Sequence, residues 1–300
     1  MADPPVDRSG ALLHFTEGTL AYAGHYLHER SHPVHTHSFL EVALVTGGHG
    51  VHVSPAGRHR LAVGDAVLLR PGVWHGYEQC AGLDLLNCCF SAELLRRELA
   101  WTREDPLYNY LLWTGPYSSP GRGVLATRLP PAARAECGEH LDALDRLRSR
   151  PLSRYRGEVI GRLVLFLGCL ARAVADDPGH TTDQPNGPAH PAVIRAMRLM
   201  EAAPERRWTL TDLAAELHLT RGYLVRRFKA TTGLPPMAYL SRFRVETAAA
   251  LLLHTDQSIT QIAEAVGWPD ANYFARRFRT HYGLNASTYR ARFTQFTRQL

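Results

Sequence analysis

His35, His37 and Glu41 stand two and four residues apart in HTHSFLE, and His75 closes a second stretch, GDAVLLRPGVWH, that begins at Gly64. On a regular strand, positions 35, 37, 39 and 41 share one face, because strand side chains alternate with a period of two. Two imidazoles and a carboxylate could therefore converge, and His75 from a neighbouring strand would complete a set of four. Three histidines and one carboxylate suit a borderline divalent ion such as Mn, Fe, Ni or Zn. The same groups can instead hydrogen-bond a small polar effector, or one another. Their expected neighbours Val42, Leu44, Val67 and Leu69 are apolar, and an unpartnered buried polar group costs roughly 1–3 kcal/mol. Something must therefore satisfy them. The other histidines of this region, at 25, 28, 32, 49, 52 and 59, are expected on the surface or in turns.

A second set of reactive side chains recurs near the other end. TLTDLAAELHLTRGYLVRRFKATTGL (209–234) and SITQIAEAVGWPDANYFARRFRTHYGL (258–284) repeat Tyr, Arg-Arg-Phe, a basic residue and Gly at an offset of 50. Leu213-Ala214 matches Ile262-Ala263 at an offset of 49, the second copy having one more residue in its turn. Two copies of one helix-turn-helix unit account for this pattern. Leu224 and Phe228, like Phe274 and Phe278, fall at i,i+4 and face a core. The opposite face carries Arg221, Gly222, Val225, Arg226 and Lys229 in one copy, and Asn272, Ala275, Arg276 and Arg279 in the other. Arginine can bond guanine bidentately, asparagine can do the same with adenine, and lysine or arginine can hold phosphate. The alternative for each arginine is a solvated surface charge, but two copies of matched polarity favour a DNA-reading face.

The elements that must position these groups follow from composition and periodicity. Three hundred residues exceed one typical domain. Residues 39–90 show short apolar runs separated by turn signals, which predicts an antiparallel barrel or sandwich. Residues 91–175 change to helical spacing and are expected to be largely helical, residues 176–190 read as a linker, and residues 191–300 as an all-helical domain. The charge divides likewise. Residues 191–300 hold 16 Lys and Arg against 8 Asp and Glu, whereas residues 1–190 hold 18 against 20. A basic domain beside a near-neutral one points to a polyanion partner. The apolar run LVLFLGCLA is too short to span a membrane, and the N-terminus lacks a secretory pattern, so a cytoplasmic location is expected. Five cysteines without a CxxC pair read as buried hydrophobes in a reducing compartment.

Residues 208–292 closely resemble the DNA-binding domain of AraC/XylS-type transcription regulators, including the joining helix PPMAYLSRFRVETAAALLLHT and the stretch SITQIAEAVGWPDANYFARRFRTHYGLNASTYR. Trp268 stands where that family usually has Phe, and Asn285-Ala286 where it often has a Pro. Gly222 lies where a larger base-reading side chain is common, so the first unit is expected to read fewer bases. The resemblance implies two recognition helices in successive major-groove segments about 34 Å apart. It also implies promoter DNA and RNA polymerase as partners, with activation expected rather than repression.

The N-terminal strand pattern resembles a cupin barrel, the sensor domain common in such regulators. HxHxxxE and the closing His75 match metallocupin spacing, whereas Glu29 and Gln79 replace the usual Gly and Asn. The implied fold class is a two-domain α+β chain: a cupin-like antiparallel β-barrel (1–90), a helical region (91–175), a linker, and a double helix-turn-helix. The expected function is effector-controlled DNA binding without catalysis, a metal-dependent cupin enzyme being the alternative. His35, His37, Glu41 and His75 are the expected effector site and the candidate metal ligands. The apolar stretch GEVIGRLVLFLGCLARAV either completes the barrel core or pairs with its copy, and a homodimer is expected.

Overall fold

The computed structural model describes residues 20–37, 39–117, 122–179 and 190–293. Residues 180–189 of the expected linker, and residues 1–19 and 294–300 of the two end domains, lie outside the described residues. Seven strands, β1 (Ala21–His28), β2 (His32–His35), β3 (Leu40–Ser54), β4 (Gly57–Ala62), β5 (Asp65–Leu69), β6 (His75–Phe90) and β7 (Val124–Arg128), form one antiparallel sheet. Its order is β1-β6-β3-β5-β7, with β2 added on β6 and β4 on β3. The two long strands pair with each other and with most of the others. β3 continues through Gly47-Gly48, one of the turn signals between the apolar runs of residues 39–90, because Gly48 takes a left-handed conformation (φ 64°) and the ladder shifts register there instead of ending. β7 lies within the region expected to be largely helical. Its five residues, held between Gly123 and Leu129-Pro130, are too few to stand out from the surrounding helical spacing.

Both faces of the central sheet are covered, which is why β5 (DAVLL) is buried at every position and shows no alternation. On one face Leu40, Val42, Leu44, Leu68, Leu86 and Phe90 pack with α1 (Ala92–Arg96), the turns around Tyr110–Trp113, α3 (Pro131–Leu147) and α4 (Leu152–Asp176). α4 contributes Val159, Leu163, Phe166, Leu167 and Leu170, so its apolar face completes the sensor core. Leu165, 53% exposed, points away from it.

Val45, Leu61, Val67, Leu69, Tyr77 and Leu85, on the other face, share one core with the C-terminal domain. That domain runs α5 (Pro191–Ala202), α6 (Leu210–Glu216), α7 (Arg221–Thr232), α8 (Pro236–His254), α9 (Ile259–Ala265), α10 (Ala271–Tyr282) and α11 (Ala286–Phe293). The repeat read in the sequence is a repeat of caps as well as of cores. α6 and α9 open with capping boxes, Thr209 with Asp212 and Ser258 with Gln261. α7 and α10 are capped by Thr220 and Asp270 and end on left-handed Gly233 and Gly283. Between the units, the 19-residue α8 spans about 28 Å at 1.5 Å per residue.

Candidate effector pocket and DNA-reading face

The expected strand through positions 35–41 is not continuous. β2 ends at His35 and β3 begins at Leu40. The groups still meet, because β6 holds both pieces: His35 registers with His75, and Glu41 registers with Cys89. One oxygen of Glu41 lies 3.2 Å from His37 Nε2 and the other 3.8 Å from His75 Nε2. The ligand atoms of His37, Glu41 and His75 all lie within 4.8 Å of one another, and all three residues are buried. His35 stands beside this trio without joining it: its ring centroid is 4.2 Å from that of His75, and its Nδ1 lies 3.1 Å from the Pro33 carbonyl.

His52 departs from its expected place on the surface and is 1% exposed. The register shift that carries β3 past Gly48 turns His52 inward, opposite Tyr77 and 5.8 Å from the His75 ring. Tyr77 was not singled out in the sequence, and neither was Asn87, whose amide donates to Glu41 Oε1 at 3.1 Å. A strand running on through the glycines, with His52 and Tyr77 facing each other, was the signal for the first two. His25, His49 and His59 are exposed as expected, while His28 and His32 are half-buried and stack toward the cluster.

Electrostatics distinguishes the members. Burial pushes the His35 and His52 imidazoles down to about 4, and that of His75 well below its usual range. Burial alone would raise Glu41, but the close approach of His37 at 3.2 Å and the charges of His37, His35 and His52 outweigh it and hold the carboxyl below its ordinary value. At neutral pH, Glu41 is thus an ionised carboxylate beside the neutral imidazoles of His35, His52 and His75. Nε2 of His37, His52 and His75 and the Tyr77 hydroxyl lack hydrogen-bond partners. His37 Nε2 is near enough to Glu41 for charge attraction but not aligned for a hydrogen bond. This arrangement can receive a cation or a polyhydroxylated molecule.

The turn that carries His75 also holds the second helix-turn-helix unit. Gly72 donates its N–H to the His37 carbonyl at 2.8 Å, and its own carbonyl accepts the Tyr289 hydroxyl at 2.9 Å. The Tyr282 hydroxyl donates to the Pro71 carbonyl, and Trp74 Nε1 donates to the Tyr282 carbonyl at 2.6 Å. Thr36 Oγ1 lies 3.3 Å from the Tyr289 hydroxyl. Two of the three clustered ligands therefore sit within three residues of backbone held by α10 and α11.

On the outer side of the C-terminal domain, Arg221, Gly222, Arg226 and Lys229 of α7 are exposed and Val225 is half-buried. Asn272, Ala275, Arg276 and Arg279 of α10 are all exposed. Leu224, Phe228, Phe274 and Phe278 are fully buried on the opposite side. A Cβ at Gly222 would lie 3.7 Å from Arg226 Nη1, an ordinary contact.

A sheet domain with a buried polar cluster, docked on two matched helix-turn-helix units, defines a DNA-binding transcription regulator with a ligand-sensing domain. Family models agree in both halves: an AraC-like ligand binding domain matches residues 18–119, and a helix-turn-helix domain matches residues 213–292. The chain is 29% identical over 270 residues to the HTH-type transcriptional activator RhaR of Pectobacterium carotovorum, covering 87% of each chain. A putative AraC-like transcription regulator of Streptomyces antibioticus is 27% identical over 242 residues, covering 77% of this chain and 79% of that one. Among solved structures, ToxT from Vibrio cholerae matches 92% of this chain and 98% of its own with a TM-score of 0.51 and 14% identity, a likeness of fold. The chain belongs to the AraC/XylS family of transcription regulators.

Proposed function

We propose that the protein is a cytoplasmic transcription activator whose promoter binding answers to a small polar effector seated among His35, His37, Glu41 and His75, with His52 and Tyr77 completing the pocket wall. The observation that carries this reading is the set of buried, unpartnered donor and acceptor atoms around one ionised carboxylate, attached through Arg70–His75 to the second DNA-reading unit. Relatives named as activators support activation over repression, and with it contact to RNA polymerase. The α7 and α10 residues named above would read and hold the duplex.

A divalent ion is a second reading favoured by one observation: the three buried ligand atoms of His37, Glu41 and His75 within mutual reach. These residues would hold Mn, Fe, Ni or Zn, and the low basicity of His75 keeps protons from competing for it. Such an ion would supply a Lewis-acidic anchor for effector oxygens. The enzyme alternative has less support, since the matching relatives are transcription regulators.

The test is a mobility-shift assay on a promoter fragment with candidate effectors. His37→Ala with His75→Ala should abolish or alter the effector response while the isolated C-terminal domain keeps binding DNA. EDTA should remove the response of a metal-dependent sensor and leave that of a metal-free pocket. A protein that binds no promoter fragment at low salt, with or without effectors, would overturn the reading.

We also propose a homodimer. Since the buried face of α4 is used within the sensor core, the pairing surface is the outward stripe of Gly157, Gly161 and Leu165, spaced by four residues, where a Cβ on either glycine meets nothing. Leu165→Glu should turn a sedimenting dimer into a monomer, and a parent that is monomeric at every concentration would refute the pairing.

A further inference from the structure

A cleft of about 440 Å³ lies between the two domains, away from the histidine cluster. Tyr117 and Arg122 line it from the sensor side. Ser241, Arg242 and Val245 of α8 and Arg277, Thr280 and His281 of α10 line it from the DNA-binding side. Three arginines thus face one cavity, and among the described residues its wall contains no carboxylate.

Arg242 is the informative member. It is 8% exposed, its guanidinium lies 3.9 Å from the ring centre of Tyr117 and 5.0 Å from that of Tyr239, and its Nη1 has no hydrogen-bond partner. The two interface carboxylates nearby are engaged elsewhere. Glu246 pairs with Arg70 at 3.0 Å and accepts the Tyr117 hydroxyl, while Glu201 pairs with Arg103 and accepts the Tyr239 hydroxyl. A buried guanidinium that stacks on aromatic rings and pairs with no carboxylate, the charge of Glu201 reaching it only from its pair with Arg103, has lost its water without a bonded counter-charge, which is costly unless an anion is supplied. Burial accordingly pulls its pKa down to about 9.

The surroundings are made for the missing partner. His281 Nε2 is buried and also lacks a partner. Arg277 is oriented by a 2.9 Å bond from its Nε to Ser241 Oγ. Arg122 is exposed at the mouth and adopts φ 46°, a left-handed conformation unfavourable for a side chain of its size. Arg277 lies on α10 but is only half-exposed, turned from the face that carries Arg276 and Arg279.

We propose that this interdomain cleft is a second ligand site, which binds the oxyanion group of a small metabolite, a phosphate or a carboxylate, through Arg242 and Arg277 with Arg122 at its mouth. Planar guanidinium forks match both groups. Because the lining comes from both domains, the anion binds the docked arrangement and stabilises it, an input separate from the sheet pocket.

Thermal unfolding of the full chain tests this, with inorganic phosphate and acetate as the two probes, each against chloride of equal ionic strength. At least one probe should raise Tm saturably where chloride does not, and which one does so identifies the headgroup. Arg277→Gln should weaken the apparent affinity about tenfold. Arg242→Gln should abolish the effect and, having lost an uncompensated buried charge, should melt no lower than the parent without anion. Should Arg242→Gln fail to fold, Arg277→Gln and Arg122→Gln decide the matter, both being changes at residues with solvent exposure. His37→Ala should leave the anion effect intact. The proposal is overturned if neither anion exceeds chloride, if the arginine variants respond like the parent, or if the effect disappears in Arg226→Ala/Arg276→Ala, which would place the anion on the DNA-reading face.

Discussion

Arg226 and Arg276 occupy equivalent places on two helices that bury the matched pairs Leu224/Phe228 and Phe274/Phe278, yet their neighbours differ. Gly222 leaves Arg226 without a companion one turn earlier, whereas Asn272 stands at that place before Arg276. On the proposed reading, the second unit would present two base-reading groups at these places and the first only one. Arg226→Ala and Arg276→Ala should each weaken specific binding by roughly 1–3 kcal/mol and relax preference at one base pair. Lys229→Ala, a phosphate contact, should weaken all sequences alike and lower the salt dependence. Binding constants on specific and random duplexes over a salt series separate these outcomes, and equal losses on both duplexes for all three variants would reject the assignment. These positions were legible because a helix converts spacing directly into facing, and the structure places every one of them outward except half-buried Val225. His52 was not legible. Its orientation depends on a register shift at Gly48, and a one-residue slip in a strand reverses every side chain beyond it.

On the proposed reading, the turn from Arg70 to His75 is the element that joins the cluster to the second helix-turn-helix unit. It leaves β5, enters β6 with a cluster ligand, and in between accepts hydrogen bonds from Tyr282 and Tyr289. Gly72 can occupy it because φ is 79° and because a Cβ would lie 2.5 Å from the Tyr282 hydroxyl and 3.0 Å from Ala249 Cβ. Gly72→Ala combines backbone strain with overlap, each worth on the order of 1–3 kcal/mol. Tyr289→Phe removes only the hydroxyl, worth about 1 kcal/mol. If docking on this turn restrains the second unit, effector-free DNA binding should rise severalfold in Tyr289→Phe and roughly tenfold or more in Gly72→Ala, with a correspondingly smaller response to effector. Unchanged effector dependence in both, measured by titrating promoter DNA, would disconnect the turn from signalling. The sequence announced this stretch as a cupin-like motif ending in histidine. That its middle would carry the other domain was not legible, since hydrogen bonds between residues 72 and 289 leave no periodic trace.

At the scale of the whole molecule, the two halves are joined by a continuous apolar core and by charges withdrawn from water along its border. The division of charge along the chain was visible in the sequence, but not that Arg242, Arg277 and His281 of the basic half would meet at the domain junction instead of facing DNA. His281 makes that junction sensitive to pH. Burial, then the charges of Arg242, Arg277, Arg70 and Arg122, lower its imidazole to about 3 in the docked state. Undocking exposes it to water and removes Arg70 and Arg122, which raises it toward, but with Arg242 and Arg277 still beside it not above, the ordinary value of about 6.5. Between these limits the undocked form binds more protons, so docking is fully supported above about pH 6.5 and weakens as the pH falls, by up to about 1.4 kcal/mol per unit. Near pH 5 the loss is at most on the order of 2 kcal/mol, within the range of coupling that a ligand exerts between sites. In anion-free buffer, the radius of gyration from small-angle scattering should therefore increase between pH 7 and pH 5. His281→Gln, which cannot take up the proton, should stay compact over the same interval. An equal expansion in parent and variant would assign the acid response to another group, and no expansion in either would show that the apolar core alone holds the domains together.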